Sequence, residues 1–444
     1  MTMHFSIITD PETVDTVTVH ADSAKASNIE NGSQGSLCFG TRRHTIRFQT
    51  NSIINKNEMA ISLNCFKELG VPEFIKFDLK VEGDNLIIGP YVGLLIGASN
   101  KRLLRKLPSL LNYTRDYQAF GGAVMAFSIE GMKPGEINGF LYNPDKNEWQ
   151  EYVGAFPAAI YKKVLLTKKV YKLLSIEEIQ PKIFNSHTFS KWSVYKRLAG
   201  TEGLMAHLPH TVLYKKPIDV IRFIDKHGKA FLKPIRGSKG RNIKEIKKMN
   251  NHFLVRYQKD RRNVEMELKR RELLEYLHLS IKKKPYVIQK ALEIVYSENR
   301  AVDFRVFTLK DSSGKWQYIG WVGRSGRVDS IVSNRSSGGT VEDGDLLLNK
   351  IVNSDSQKAS DLKKEIINTV LMASESFNDS AMNFGYFAID IAVDHDGRVW
   401  ILEMNHRYPN DGLPLYIGDH RTYRDIKLHI MLYLKYLAGF SKES

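Results

Sequence analysis

Asp390, Glu403 and Asn405 are three oxygen donors at a spacing that suits a hard cation. Residues 387–393 are apolar around Asp390, 394–398 form a polar segment with Gly397, and 399–405 make a second largely apolar run. Two such runs joined by a short polar segment read as a β-hairpin. Side chains alternate across a strand, so Glu403 and Asn405 share a face and the hairpin can return Asp390 opposite them. Carboxylate and amide oxygens are the ligands Mg²⁺ takes, and a cation held there can face phosphates. An ATP-dependent enzyme is therefore the leading reading. The alternative is a hairpin whose acidic residues merely face solvent, because the flanking apolar residues explain the strands without requiring the carboxylates.

A second constellation is basic. Lys233 ends an apolar run, and Gly237, Ser238, Lys239 and Gly240 follow in a glycine-rich turn. Glycines let a backbone approach a ligand closely and leave N–H groups free for phosphate oxygens, while a lysine supplies a point charge. The spacing matches neither of the common phosphate-loop fingerprints, and a plain turn competes with the functional reading. Arg305 and Arg324 lie in the otherwise apolar runs 303–309 and 316–324, where a guanidinium either snorkels to solvent or meets an anion. Arg335, in the serine- and glycine-rich segment 334–340, could add another oxyanion cradle, with a surface loop as an equal competitor.

These residues need elements to hold them, and the chain supplies several. Residues 1–85 alternate polar and apolar positions in short runs and read as a small strand-rich module. Residues 87–97 and 121–127 are apolar and glycine-containing, with a helical-looking stretch 101–120 between them, which is an α/β signature. A helix is expected over 191–199, a reversal over 225–229, a long charged helix over 265–279, a strand over 286–289, and a helix over 360–377 with Leu362, Ile366 and Val370 on one stripe.

Composition bounds the function further. At 444 residues the chain exceeds the ~250–300 residues at which single cores stop growing, so two or three domains are expected. Cys38 and Cys65 are the only cysteines, too few for a disulfide framework or a thiolate metal cluster, and they fit a reducing compartment. No export signal precedes the first strand-like run, and no apolar tract approaches the ~20 residues that span a bilayer. A soluble, cytoplasmic protein is expected. The formal charge of +16, concentrated between 239 and 284, suits a solvated or phosphate-steering face. It lacks the regular aromatic interleaving of a nucleic-acid surface.

Taken together the motifs resemble the ATP-grasp fold, and more closely the YheC/YheD-like ATP-grasp family associated with the endospore coat of Bacillus-type bacteria. The resemblance rests on Asn185, Phe189-Ser190-Lys191-Trp192, Leu208-Pro209-His210-Thr211, Leu232-Lys233-Pro234, Gly237-Ser238-Lys239-Gly240, Asp303-Phe304-Arg305-Val306, and the separation of Asp390 from Glu403 and Asn405. It implies an α/β architecture of two lobes clasping a nucleotide (201–290 and 291–444), preceded by an α/β domain over 86–200 and the module over 1–85. By the same resemblance, Lys191 and Lys233 contact ATP, the 237–240 loop covers its terminal phosphates, Lys290 and Leu292 after Gln289 read the adenine edge, and Glu293 meets the ribose. Asp390, Glu403 and Asn405 bind Mg²⁺, and Arg305, with Lys233, Arg324 and Arg335, stabilises the transferring phosphoryl group. The implied activity is carboxylate ligation through an acylphosphate, on a carboxylate-bearing small molecule, peptide or envelope component. The implied setting is recruitment to the forming spore coat and its proteins, and the alternative function is a nucleotide-binding coat protein without turnover. The segment after Asn405, beginning His406-Arg407, departs from the small turn of related ligases, which leaves the acceptor open. His406 itself is expected to make a local loop bond.

Overall fold

The computed structural model describes residues 3–440, apart from 178, 238–241, 260–261, 282–284, 298–299, 327–338, 380–381 and 408. Four sheets follow one another along the chain.

The alternating N-terminal runs close into a seven-stranded barrel, with Phe77–Glu82 pairing back onto Met3–Asp10. Alternation explains the closure: Val17 and Val19, Leu37 and Phe39, and Ile46 and Phe48 are buried at every second position, and closing the ring leaves no unpaired edge. The short helices Ala21–Ala26 and Leu63–Leu69 carry no clear signal in the sequence. The run 87–97, expected to be one strand, is two. Asn85–Gly89 finishes the barrel and Tyr91–Leu95 begins the next sheet, because Pro90 has no N–H to continue a ladder.

In the second sheet Ala123–Lys133, Tyr91–Leu95, Ala159–Lys162 and Lys182–Phe184 run parallel in that order, and the helices Asn100–Leu104 and Leu107–Thr114 connect the first two by sequence. This is the expected strand, helix, strand unit. The antiparallel strands Glu136–Asn143 and Glu148–Gly154 extend it.

The third sheet is antiparallel and has six strands. Helices Pro217–His227 and Arg270–Ile281 bury Ile221, Ile224, Leu273 and Leu277 against Leu232, Ile246 and Ile288. Two sequence expectations change here. The reversal expected over 225–229 begins only at Gly228, which caps the helix at φ 73°, a conformation suited to glycine. The helix expected over 265–279 is instead the strand Arg262–Leu268 followed by the helix Arg270–Ile281. Val264, Met266 and Leu268 are half-buried between exposed Glu265 and Glu267, and this period-two pattern pairs with Phe253–Lys259. Arg256 meets Glu265, and Arg271 meets Glu275, at the surface, as a solvated basic face would.

In the fourth sheet Thr340–Asp343, Trp316–Ser325, Arg300–Lys310, Tyr386–Val393 and Val399–Asn405 are neighbours in that order, all antiparallel. Helix Ser356–Glu375 covers one face with Leu362, Ile366 and Val370. It starts four residues before the expected 360, where the Asp355 side chain accepts the Lys358 N–H. Trp316 and Trp321 are buried in this core, so neither offers a stacking surface. Helix His420–Leu437 packs Ile426, Ile430 and Leu434 into a core shared with Val92, Leu94 and Tyr161 of the second sheet. A buried ionic cluster fastens the same joint. Asp411 accepts from Lys163 at 2.9 Å and from Lys427, and both ammonium groups also donate to Tyr113 Oη, at 3.2 and 3.1 Å. Among the described residues no helix is long and apolar enough to cross a membrane.

Candidate functional site

The fourth sheet sets three charged residues in one row. Arg305 is registered against Asp390, and Asp390 against Glu403, on adjacent strands. Residues in register share a face, so alternation that buries Phe304, Val306, Ile389 and Ile391 in the helix-covered core turns the row to the other side. Arg305 donates to both oxygens of Asp390, at 2.8 and 2.9 Å. Arg324 joins from the neighbouring strand, 3.1 Å from Asp390 Oδ2 and 2.5 Å from the buried Asp303. Burial alone would raise the Asp390 pKa, but the two guanidinium groups outweigh it and hold the carboxylate at about 2. Asn405 Nδ2 lies 3.5 Å from Asp390 Oδ2, and Glu403 pairs with Lys191.

The third sheet contributes Lys233. It sits diagonally across from Gln289 in the antiparallel pair formed by Lys229–Pro234 and Tyr286–Lys290, and its Nζ donates to Gln289 Oε1 at 2.6 Å. Gln289 Nε2 donates in turn to Thr211 Oγ1, at 3.0 Å, so three strands fix the amine. Desolvation, with Lys191 close by, pushes the Lys233 pKa down to about 8, although Glu403 opposes the shift. Gly237 holds φ 149°, a conformation that side chains rarely adopt.

A cavity of about 1680 Å³ lies where these elements meet, and its wall includes Lys191, Lys233, Gly237, Gln289, Arg305, Arg324, Glu403 and Asn405. Asp390 stands behind the arginines and off that wall, and Lys290, Leu292 and Glu293 do not line it either. The Lys290 N–H is taken by His210 O at 2.8 Å, and Glu293 is exposed. Ser238, Lys239, Gly240 and Arg335 lie outside the described residues.

The segment from Asn185 to Lys191 joins the lobes around the cavity. Asn185, at φ 50°, donates to the Tyr386 and His406 carbonyls at 2.9 and 2.7 Å and accepts the Gly385 and Tyr386 N–H groups. Both of its amide ends are thereby used, and asparagine tolerates the left-handed backbone. His406 makes a local bond of the kind expected, to the Met404 backbone, and a distant one besides. Its Nε2 accepts the distant Phe189 N–H at 2.9 Å, and burial lowers its pKa to about 4. Helix Lys191–Ala199 then opens under a Ser190 cap, and its first N–H is donated to Ile235 O at 2.9 Å. Lys191 is thus tied by its backbone to the third sheet and by its side chain to the fourth. Oxygen donors suited to Mg²⁺ face the cavity at Glu403 and Asn405. Asp390 Oδ1 accepts one guanidinium hydrogen bond, which leaves it lone-pair capacity.

Sequence reasoning missed one cavity residue with unusual surroundings. Lys162 ends the strand Ala159–Lys162 and is 5% exposed. Burial, reinforced by Arg407, lowers its pKa to about 8. The only signal in the sequence is a lysine closing an apolar run. Because the unfolded chain holds this proton up to about pH 10.4, the folded state is penalised at pH 7 and the penalty fades as pH rises from about 8 to 10.4. Lys162→Met is therefore expected to raise unfolding stability by roughly 1–3 kcal/mol at pH 7. The gain should shrink towards pH 10 in urea titrations at stepped pH, and an equal gain at both pH values contradicts the assignment.

The YheC/D-like ATP-grasp family model matches residues 180–437. Endospore coat-associated protein YheD of Bacillus subtilis (strain 168) is 24% identical over 365 residues, which is 78% of this chain and 79% of that protein. Endospore coat-associated protein YheC of the same organism is 22% identical over 278 residues, 61% of this chain and 76% of that protein. Among solved structures, the ATP-grasp ligase PsnB complexed with a phosphomimetic variant of a minimal precursor, Mg and ADP is 16% identical with a TM-score of 0.42, covering 77% of this chain and 99% of that one. With its family match spanning both lobes and the segment that joins them, the chain has the ATP-grasp fold and belongs to the YheC/D-like ATP-grasp family.

Proposed function

We propose that this protein is an Mg²⁺- and ATP-dependent carboxylate ligase. The observation that carries the reading is the convergence, on one cavity, of Lys191 and Lys233 from one side with Glu403, Asn405 and Arg305 from the other. Lys191 and Lys233 bind and orient the phosphates of ATP. Glu403 and Asn405, with Asp390 behind them, hold Mg²⁺, which when bound neutralises charge on the phosphoryl oxygens. Arg305, aligned by its two bonds to Asp390, faces the transferring group. The acceptor carboxylate attacks the terminal phosphorus and ADP leaves with the electron pair of the bond that breaks; an amine or another nucleophile then attacks the acyl carbon of the acylphosphate, loses a proton, and displaces inorganic phosphate. Positioning and electrostatics do the work in such transfers, and no side-chain nucleophile is required.

The relatives' description as endospore coat-associated supports action on, or recruitment to, the assembling spore envelope. A second reading is nucleotide binding without turnover. It draws on the engagement of both Asp390 oxygens by arginines and of Glu403 by Lys191. One assay separates the two: Mg²⁺-dependent ATP binding and ADP release, measured while amino acids, short peptides and peptidoglycan precursors are screened. Acceptor-stimulated ADP release is expected, and tight ATP binding with no release under any acceptor favours the second reading. In the same assay Lys233→Met should weaken ATP binding by about 10- to 100-fold, the effect of losing a charge-assisted hydrogen bond. Unchanged affinity would remove Lys233 from the phosphate site.

A further inference from the structure

Two consecutive lysines at the end of one parallel strand meet opposite circumstances. Lys163 is supplied with a counter-charge by Asp411. Lys162 is not: among the described residues no ion pair or hydrogen bond engages its buried amine, and its charged neighbour is another cation, Arg407. Both Lys162 and Arg407 line the cavity. A buried ammonium group without a partner is unfavourable unless a ligand brings the negative charge. The position at the carboxyl end of a parallel strand is also where ligands bind in α/β sheets.

The surroundings define the rest of the ligand. Leu165, Leu166, Ile183 and Tyr171 line the same cavity, offering aliphatic and aromatic wall to an apolar group. Glu403 and Asn405, assigned above to the metal, line the same cavity as Lys162. A ligand with one anionic end and a short apolar body can thus lie beside the phosphate-facing residues.

We propose that Lys162 forms the subsite for a carboxylate of the acceptor, and that the acceptor class is a carboxylate carried on an aliphatic group. The acceptor role rests on the ligase reading, whereas the anion subsite itself does not. At pH 7 the Lys162 amine is below its midpoint and charged, as the role requires.

The test uses 4-methylpentanoate and its uncharged counterpart 4-methylpentanamide, titrated into the full-length protein at pH 7 with ligand-observed NMR. The wild type is expected to bind the carboxylate at least tenfold more tightly than the amide. Lys162→Met, close in length and apolar, should weaken carboxylate binding by about 10- to 100-fold and leave the amide unaffected, the expected loss for one charge-assisted bond. Equal binding of the two probes by the wild type overturns the proposal, and so does a folded Lys162→Met variant that binds the carboxylate as the wild type does. Should that variant fail to fold, the wild-type comparison decides alone. Mg²⁺-ATP affinity measured on the same samples keeps the two readings apart. Retained ATP binding with no carboxylate preference removes the subsite only, and carboxylate preference without ATP binding removes the ligase reading only.

Discussion

Glu403→Gln is expected to reduce Mg²⁺-dependent ADP release by roughly 10²- to 10³-fold while leaving the unfolding transition nearly unchanged. A metal ion's charge stabilisation in phosphoryl transfer is worth several kcal/mol, and a neutral amide is a much poorer ligand for a hard cation than a carboxylate. The fold has little stake in the side chain, which is 38% exposed and paired with Lys191. Such part-exposed pairs contribute only about 0–1 kcal/mol. Asp390 is a less selective probe of the same idea. Its carboxylate balances Arg305, 13% exposed, and Arg324, 4% exposed, so Asp390→Asn would weaken folding along with any activity. The measurement is steady-state ADP release at saturating ATP over a Mg²⁺ series, with thermal unfolding in parallel. Turnover within threefold of wild type would contradict the role given to Glu403.

Asp411→Asn should lower unfolding stability by about 3–5 kcal/mol, the cost of removing one partner from a buried ion pair. Lys427 is 4% exposed and Asp411 15%, and the substitution leaves two ammonium groups sharing one neutral amide and Tyr113. Burial pulls the Asp411 pKa up, but Lys427 and Lys163 overcome it and hold the carboxylate well below its usual range. A depressed carboxylate contributes its full stability above the unfolded value near 3.9 and loses it as pH falls towards the folded one. The gap between wild type and variant should therefore stay constant from about pH 7 to 5 and close only below about pH 4, read from urea midpoints. Asp411→Leu combined with Lys427→Met should recover more than half of the loss, since an apolar replacement leaves one fewer charge unpaired. A loss below about 1 kcal/mol in Asp411→Asn would mean that solvent screens the cluster. The segment between His406 and Leu413 also carries Arg407 and Asn410 to the cavity wall, so the cluster that fastens the joint steadies the proposed acceptor side as well.

Much of this architecture is local and was legible. The hairpin of Tyr386–Val393 and Val399–Asn405 follows from two apolar runs around a polar turn, and strict alternation placed Glu403 and Asn405 on one face with Asp390 opposite. Helix Lys191–Ala199 occupies the expected residues, its apolar spacing and serine cap both being short-range signals. The errors arose where two local signals conflicted. Residues 265–279 are charged enough for a helix, yet the alternation of Val264, Met266 and Leu268 made the first part a strand once a partner was there to pair with it. Residues 87–97 are uniformly apolar, and only the two different sheets on either side of Pro90 divide them.

The sequence alone determined the α/β character, the oxygen donors and their shared face, and the lysine near the end of its strand, because each depends on a period of two or on neighbours a few positions away. The tertiary structure decided the electrostatic partners. That Asp390 is claimed by Arg305 and Arg324, that Lys191 meets Glu403, and that Lys163 finds Asp411 while, among the described residues, no ion pair or hydrogen bond meets buried Lys162 all depend on how separate elements pack. A side chain's face is set by backbone geometry within its own strand, but the charge it meets depends on which distant surface is packed against that face, and chain order does not encode that locally.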